Sequence, residues 1–331
     1  MIAAIVLLAL SLLFILFSCY VFVNSVESLG RACNLHQGII GSILAAIGTA
    51  LPETIIPVIA ILFASGKSAH DVGIGAIAGA PFMLATLGFF VTGFSAVAYA
   101  ALGKRSRTMD VDCKIICKDL SFFLVIYGIA VATTLVHEIA WLKLVVACSL
   151  LISYGIYFKL IVSTDSDLLE DGEELYLKKY LRLPENKFFI SSQFAIALIA
   201  IVISAHFFIK YVQTLSQLIH VSPLVLSLVI TPIATELPEK LNSIIWVGRG
   251  KETLAIGNIT GAMVFQSCFP VVFGMIFTPW HLEGLTVVSA VLALTSAFIN
   301  LLWLKVFKTM NPFMLMSGGA LYLVFAGALF L

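Results

Sequence analysis

One six-residue block occurs twice in this sequence. Residues 48–53 read GTALPE, and residues 234–239, which lie 186 positions further along the chain, read ATELPE. A second pair of blocks follows at a similar spacing, GAIAGA at residues 75–80 and GNITGA at residues 257–262. Because the paired blocks share residues, order and spacing, they indicate that the two halves of the chain are copies of one structural unit.

The composition places both copies in a lipid bilayer. Of the 331 residues, 61% are hydrophobic and 11% are charged, whereas a soluble domain has about 25% charged residues. Such a chain cannot cover itself with polar side chains, which excludes a soluble enzyme, a nucleic-acid-binding protein and a disordered chain. Its apolar segments approach the roughly 20 residues of a membrane helix, not the about ten of a barrel strand. The sequence therefore predicts an all-α polytopic membrane protein.

About ten transmembrane helices are predicted, five in each half of the chain. Because five is an odd number, the second half enters the membrane reversed, and the two five-helix repeats are inverted. The first repeat comprises residues 1–162, the polar cytoplasmic linker residues 163–187, and the second repeat residues 188–331. The first span lacks a charged n-region and is expected to be retained. The predicted spans are residues 2–23, 38–65, 72–101, 119–136, 140–162, 188–210, 221–248, 253–278, 284–304 and 311–331.

The distribution of Lys and Arg predicts the orientation of the chain in the membrane. With the N-terminus outside, 15 of the 19 basic residues fall in cytoplasmic loops and 3 fall in outer segments. This bias follows the positive-inside rule, so both termini are expected outside a prokaryotic inner (plasma) membrane. The six cysteines show no spacing typical of a disulfide framework.

Four charged residues lie near the middle of predicted spans, where the bilayer disfavours them most. Glu53 lies in the second span, and Glu236, Glu239 and Lys240 lie in the seventh. A charge at this depth costs at least about 2.5–3.5 kcal/mol, which packing alone does not explain. Glu236 and Lys240 are four residues apart and are predicted to form an ion pair. This pairing leaves Glu53 and Glu239, at equivalent positions of the repeat, as candidate cation ligands.

Further oxygen atoms are expected around these two carboxylates. Thr49 precedes Glu53 by four residues, and Thr235 precedes Glu239 by four, so each pair shares one face of its helix. The prolines of both spans free backbone carbonyls one turn upstream. Carboxylate, hydroxyl and carbonyl oxygens are the ligands of hard cations such as Ca²⁺, Mg²⁺ and Na⁺. Inverted repeats place such a site near the membrane midplane.

The six-residue blocks resemble the repeated motif of the calcium/cation antiporter superfamily, to which the sodium/calcium exchangers belong. The resemblance covers both repeats, and the chain is similar to a divergent member. It implies transport by alternating access, with Glu53 and Glu239 as the central ligands. Three further residues of the second repeat stand at positions of the family's ligand set: Glu236, Asn258 and Gln266.

Several oxygen ligands of the family are missing from the third span, where Ala76, Ala80 and Leu84 stand instead. The ammonium group of Lys240 is a candidate internal cation that replaces a coupling ion. Together these departures favour a secondary active transporter that exchanges one hard cation, Ca²⁺ or another divalent, for H⁺ or Na⁺. Two alternatives stay open: a cation channel or uniporter, and a transport-inactive membrane scaffold.

The expected partners are inorganic cations and the lipid bilayer, without nucleic acid or nucleotide. No cofactor is expected to be bound permanently, because the cation is the transported substrate. The sequence contains none of the short motifs of serine hydrolases, zinc proteases or P-loop nucleotide-binding proteins. The protein is therefore not expected to be an enzyme. The sequence does not define its oligomeric state.

Overall fold

The computed structural model describes residues 2–32, 45–64, 66–106, 108–162 and 174–329. These residues form helices almost throughout. No strand occurs among them, and one isolated bridge joins Met109 to Met310.

The described residues of the first half form six helices, of which the third and fourth are joined by a π-helical turn at Leu84–Gly88. A 3₁₀ turn at Thr133–Val136 extends the fifth helix. The helices are α1 (Ile2–Ala32), α2 (Ala45–Leu62), α3 (Lys67–Met83), α4 (Phe89–Ala101), α5 (Cys113–Ala132) and α6 (Ala140–Val162).

The second half follows a short helix, α7 (Tyr176–Leu181), that belongs to the linker. Its helices are α8 (Lys187–Ile219), α9 (Pro223–Thr235), α10 (Leu237–Gly248), α11 (Glu252–Gln266), α12 (Phe269–Phe277), α13 (Leu285–Phe307) and α14 (Pro312–Ala328).

Local sequence explains where several of these helices begin. The Ser222 side chain accepts a hydrogen bond from the Val225 amide at the start of α9. Asn186 and Asn311 cap α8 and α14 in the same way. Each cap satisfies one of the amides that the first helical turn leaves without a partner. Proline follows the cap directly in α9 and α14, where its missing amide costs nothing.

The membrane class and the all-helical fold predicted from composition are confirmed. In the described part of the chain, seven helical segments are long and apolar enough to cross a bilayer. Three shorter apolar helices lie at Pro52–Leu62, Pro223–Ile233 and Pro312–Ala328. Each of the ten predicted spans overlaps one of these helices or a consecutive pair. The count of ten crossings, the inversion of the repeats and their boundaries stay predictions.

Two apolar cores hold the helices together. The smaller core joins α1, α2 and α8 through fully buried side chains such as Ile15, Ile56 and Phe208. The larger core joins α3 to α6 with α11 to α14, and Phe82 and Phe123 lie fully buried within it. The outer faces carry exposed apolar side chains such as Trp141, as expected for surfaces that contact lipid.

Helices α3 and α9 approach each other more closely than ordinary side chains permit. A Cβ atom at Gly75 would overlap the carbonyl oxygen of Leu224, and one at Gly79 would overlap the carbonyl oxygen of Leu228. Glycine is therefore required at both positions. Their repeat counterparts are not packed in this way: a Cβ at Gly257 would meet one side-chain atom at 3.9 Å, and the space beside Gly261 is open in the described structure.

The part of the linker that the structure describes is attached to the helix bundle and is not fully solvated. The Asn24 side chain of α1 donates to the Glu174 carbonyl at 3.0 Å and accepts from the Tyr176 amide at 2.9 Å. The Gln193 side chain of α8 accepts from the Leu177 amide at 3.0 Å and donates to Asn24 at 3.0 Å. Helix α7 is thus held at the ends of α1 and α8. The acidic residues of the linker before Glu174 lie outside the described residues.

Candidate cation-binding site

Glu53 is buried in the middle of α2 without a compensating partner. It is 3% exposed, and within the described structure neither of its carboxylate oxygens meets a hydrogen-bond donor. Helix α2 runs unbroken through Pro52 and Pro57. Pro52 has no amide to donate to the carbonyl of Gly48, so this carbonyl oxygen is available one turn before Glu53. A buried carboxylate without donors is costly, which marks the position as one that a cation or a proton completes.

The second repeat presents its carboxylates at a break between two helices. Helix α9 ends at Thr235, Glu236 has non-helical backbone angles (φ −90°, ψ 8°), and α10 begins at Leu237. Glu239 lies in the first turn of α10, where the positive end of the helix dipole favours an anion. It is 2% exposed, and its Oε2 atom has no hydrogen-bond partner in the described structure.

The predicted ion pair between Glu236 and Lys240 is present. The Lys240 Nζ atom lies 2.8 Å from Glu236 Oε2, and both side chains are buried. Glu236 Oε1 has no partner among the described residues. Because the pair is neutral as a unit, the charge of the site is that of Glu53 and Glu239, which amounts to −2 when both are ionised.

The fold brings the two repeats' carboxylates together. Glu53 of the first repeat is close enough to the second repeat to feel the charges of three side chains: Glu239, Glu236 and Lys240. Their chain separation exceeds 180 residues, so this proximity comes from the tertiary structure. In the described residues, no group of three or more His, Cys, Asp and Glu side chains is already arranged around one metal position. A cation held here would therefore use two carboxylates with neutral oxygens.

The neutral oxygen ligands predicted from the sequence are placed unequally. The Thr235 hydroxyl is buried and donates to the Thr231 carbonyl at 3.0 Å, while its lone pairs stay available. The break at Glu236 separates Thr235 from Glu239, so the two do not share one uninterrupted helix face as the sequence predicted. Thr49 lies on α2, but its side chain is outside the described part of the structure.

Helix α11 carries the two amide side chains that the sequence predicted as ligands. The Asn258 amide donates to the backbone carbonyl of Glu239 at 3.3 Å, which ties α11 to the first turn of α10. Gln266 is 1% exposed, and its Oε1 atom has no hydrogen-bond partner in the described structure. Gln266 stands where α11 ends, and its repeat counterpart Leu84 begins the π-helical turn. Both repeats therefore leave the α-helical path at the same position.

Sequence reasoning missed two polar features near these residues. Ser227 and Thr231 are fully buried on α9, two turns and one turn before Thr235, and their hydroxyl groups hydrogen bond to each other at 3.0 Å. Their spacing of four residues was a readable signal of a polar helix face. Cys19 of α1 is buried close enough to Glu53 to interact electrostatically with it. No local pattern connects Cys19 to α2, so only the fold reveals this contact.

Buried carboxylates inside an apolar helical bundle define this chain as an integral membrane protein with a charged site in its interior. A family model described as sodium/calcium exchanger protein matches residues 3–162 and 190–331. The chain belongs to this family. Its members are transporters that exchange inorganic cations across a membrane and are not enzymes, which confirms the resemblance seen in the repeated blocks.

Two relatives come from an archaeon and a bacterium. The chain is 25% identical over 280 residues to the membrane protein MJ0091 of Methanocaldococcus jannaschii, covering 85% of this chain and 83% of that protein. It is 24% identical over 309 residues to the inner membrane protein YrbG of Escherichia coli, covering 92% and 90%. Both matches include both repeats of this chain.

Solved structures of exchangers share the fold. The H⁺/Ca²⁺ exchanger CAX superposes with a TM-score of 0.72 at 18% identity, covering 99% of this chain and 82% of CAX. The sodium-calcium exchanger NCX_Mj superposes with a TM-score of 0.56 at 21% identity, covering 98% and 97%. At these identities the likeness concerns the fold alone.

Proposed function

We propose that this protein is a secondary active antiporter that exchanges one divalent hard cation, Ca²⁺ or another, for protons. The cation is bound by Glu53 and Glu239 near the membrane midplane, and access alternates between the two sides of a ten-span inverted repeat. Both termini lie outside a prokaryotic inner membrane. No cofactor is needed, because the cation is the substrate.

The observation that carries this proposal is the charge of the site. In the described structure both oxygens of Glu53 and one oxygen of Glu239 lack a hydrogen-bond partner, and the third carboxylate, Glu236, is paired with Lys240. Burial makes an uncompensated charge costly. A charge of −2 is cancelled equally well by one divalent cation or by two protons, so each can replace the other without leaving net charge in the bilayer.

The residues around the site argue against coupling to several Na⁺ ions. Such coupling needs oxygen ligands for each ion, and the third span carries Ala76, Ala80 and Leu84 where the family pattern has oxygen-bearing side chains. Lys240 places a permanent cation beside Glu236 instead. H⁺/Ca²⁺ exchange by the structural neighbour CAX agrees with this choice but is a property of that protein.

Flux measurements in proteoliposomes test the proposal. Uptake of Ca²⁺, Mg²⁺, Mn²⁺, Na⁺ and K⁺ is followed under an imposed pH gradient and, separately, under an imposed Na⁺ gradient. We expect a pH gradient to drive divalent uptake, with a reverse movement of protons. Uptake driven by Na⁺ and indifferent to pH would refute H⁺ coupling. Cation flux without a counter-ion would indicate a channel or uniporter instead.

The site itself is tested by neutral isosteric substitutions. Glu53→Gln and Glu239→Gln each remove one of the two charges, so we expect divalent flux to fall at least tenfold, the equivalent of about 1.4 kcal/mol or more. Glu138→Gln, which changes an exposed glutamate between α5 and α6, is the matched control and is expected to retain flux. Unchanged flux in both site variants would refute the assignment, and absence of flux and of cation binding in the unmodified protein would favour a transport-inactive scaffold.

A further inference from the structure

A buried carboxylate that belongs to neither repeated block joins three helices. Asp119 of α5 is 2% exposed. The Tyr157 hydroxyl of α6 donates to Asp119 Oδ1 at 2.8 Å, and the Thr260 hydroxyl of α11 donates to Asp119 Oδ2 at 2.6 Å. Both carboxylate oxygens therefore act as acceptors, and through them α5 holds α6 and α11 together.

As a carboxylate, Asp119 makes both of these hydrogen bonds charge-assisted. Hydroxyl hydrogen bonds to an ionised carboxylate are typically about 2.5–2.7 Å long and roughly twice as strong as neutral ones. Protonation of Asp119 turns one of its oxygens from an acceptor into a donor and replaces a charge-assisted contact with a neutral one. The strength of the link between α5 and α11 thus depends on one proton.

Thr260 has a second acceptor available within its own helix. Its hydroxyl oxygen lies 3.4 Å from the backbone carbonyl of Gly257. When Asp119 is protonated, the Thr260 hydroxyl can turn to this carbonyl and still be satisfied. The Thr260 oxygen can meanwhile accept from the protonated carboxyl group, so the contact persists as a weaker neutral hydrogen bond and α11 is held less strongly to α5.

The charged and titratable surroundings of Asp119 are sparse in the described structure. Tyr157 faces it from α6, and α11 faces it with the uncharged Thr260. The charge of the adjacent Lys118 reaches it along α5. Two further titratable groups, Tyr154 and Cys268, reach Tyr157, and the basic residues of the α13 end, Lys305 and Lys308, act on Cys117.

The link affects a helix that matters for the proposed site, and it exists in one repeat alone. Helix α11 carries Asn258, which is hydrogen bonded to the Glu239 carbonyl, and Gln266 with its unpaired buried oxygen. The repeat counterpart of Thr260 is Ala78, which has no hydroxyl group. The contact is therefore no requirement of the repeated architecture.

We propose that Asp119 is a proton-responsive positioning residue, which as a carboxylate holds α11 firmly against α5 and α6 and, once protonated, holds it less strongly, so that α11 moves more readily. This inference rests on the proposed function, because it takes the movement of α11 as the step that limits how fast the site exchanges its bound cation. Protons compete with the cation at Glu53 and Glu239 and so affect KM, whereas Asp119 affects the maximal rate.

Transport kinetics as a function of pH separate these two effects. In Asp119→Asn and Thr260→Val we expect the maximal rate of Ca²⁺ transport to equal, at every pH, the rate that the unmodified protein shows at acid pH, while KM still depends on pH. The double variant is expected to behave like either single one, since both remove the same link. Thr260→Ser keeps the hydroxyl, and Asp110→Asn changes an exposed carboxylate before α5; both are expected to keep the unmodified profile. A maximal rate that varies with pH as before in Asp119→Asn or Thr260→Val would overturn the inference.

Infrared spectroscopy decides the inference without transport. The difference spectrum of the purified protein between alkaline and acid pH is expected to contain a protonated carboxyl band that Asp119→Asn removes. The band is expected to shift in Thr260→Val and to stay in place in Thr260→Ser. Absence of such a band, or a band indifferent to Thr260→Val, overturns the role of Asp119. Failure of the proposed function would instead appear as absent cation flux in the unmodified protein.

Discussion

A single residue, Lys240, sets the net charge of the candidate cation-binding site. Its ammonium group sits 2.8 Å from Glu236 Oε2 in a buried environment. A buried ion pair of this kind contributes little net stability, but removing one partner leaves the other charge uncompensated and costs about 3–5 kcal/mol. In the proposed mechanism, the pair leaves Glu53 and Glu239 as the two carboxylates whose charge a divalent cation balances.

Replacing Lys240 is expected to change the charge that the protein moves. In Lys240→Gln the site holds three carboxylates, so three protons neutralise it, and exchange of one divalent cation for three protons moves one net charge. We expect Ca²⁺ transport to become sensitive to an imposed membrane potential, and the protein to lose about 3–5 kcal/mol of stability. Flux under valinomycin-clamped potentials and thermal unfolding in detergent measure the two effects.

The matched control replaces both partners. Glu236→Gln together with Lys240→Gln removes the pair but restores a site charge of −2 with two neutral amides. We expect this double variant to regain electroneutral transport and most of the lost stability, because a neutral pair can replace a buried ion pair at little cost. Potential-dependent transport in the double variant would contradict the charge argument.

Helix α7 shows how one element of the linker is positioned. The side chains of Asn24 and Gln193 bind the backbone of Glu174, Tyr176 and Leu177, and Gln193 also donates to the Val21 carbonyl at 3.1 Å. Backbone amides at the start of a short helix otherwise depend on water. The two side chains thereby tie the linker to α1 and α8, which pack against each other along much of their length.

Gln193→Leu is expected to release α7 from the bundle. The Leu177 amide and Asn24 lose their partner, and local opening becomes easier by about 1–3 kcal/mol because each lost bond contributes about 1 kcal/mol. Trypsin cleavage after Lys178 and Lys179, followed by mass spectrometry, is expected to accelerate at least about fivefold. Gln217→Leu, an exposed position of the same helix, is the control. Equal cleavage in both variants would show that Gln193 does not hold α7.

At the scale of the whole molecule, the two repeats are packed unequally. Gly75 and Gly79 bring α3 into backbone contact with α9, while their counterparts Gly257 and Gly261 are open to their surroundings. Two copies of one structural unit thus adopt different contacts in one conformation. In the alternating-access mechanism proposed above, a difference of this kind corresponds to one side being closed and the other open.

Matched glycine substitutions test this asymmetry. Gly79→Ala forces a Cβ atom against the Leu228 carbonyl and is expected to lower stability by about 1–3 kcal/mol. Gly261→Ala meets open space and is expected to leave stability equal or up to about 1 kcal/mol higher, because alanine favours the helix. Thermal unfolding in detergent measures both. If the two sides alternate, Gly261→Ala lowers transport without lowering stability. Equal destabilisation by the two substitutions would contradict the unequal packing.

The sequence by itself determined the features that depend on composition and short spacing. Apolar content decided the membrane class, and the duplicated blocks singled out Glu53 and Glu239. The ion pair of Glu236 and Lys240 was predictable because residues four apart meet on a helix. The sequence did not predict that the helix breaks at Glu236 and separates Thr235 from Glu239. The matching block gives no sign of such a break, because α2 continues through Pro52.

Only the tertiary structure decided which distant segments meet. Asp119 and Thr260 are 141 residues apart in the chain, and Asn24 and Gln193 are 169 apart. The close packing at Gly79 and the open space at Gly261 occur at matching positions of two blocks that share four of six residues. Local periodicity encodes the helix and its apolar face, but not which of two equivalent faces another helix covers. That choice is made by the packing of the whole bundle.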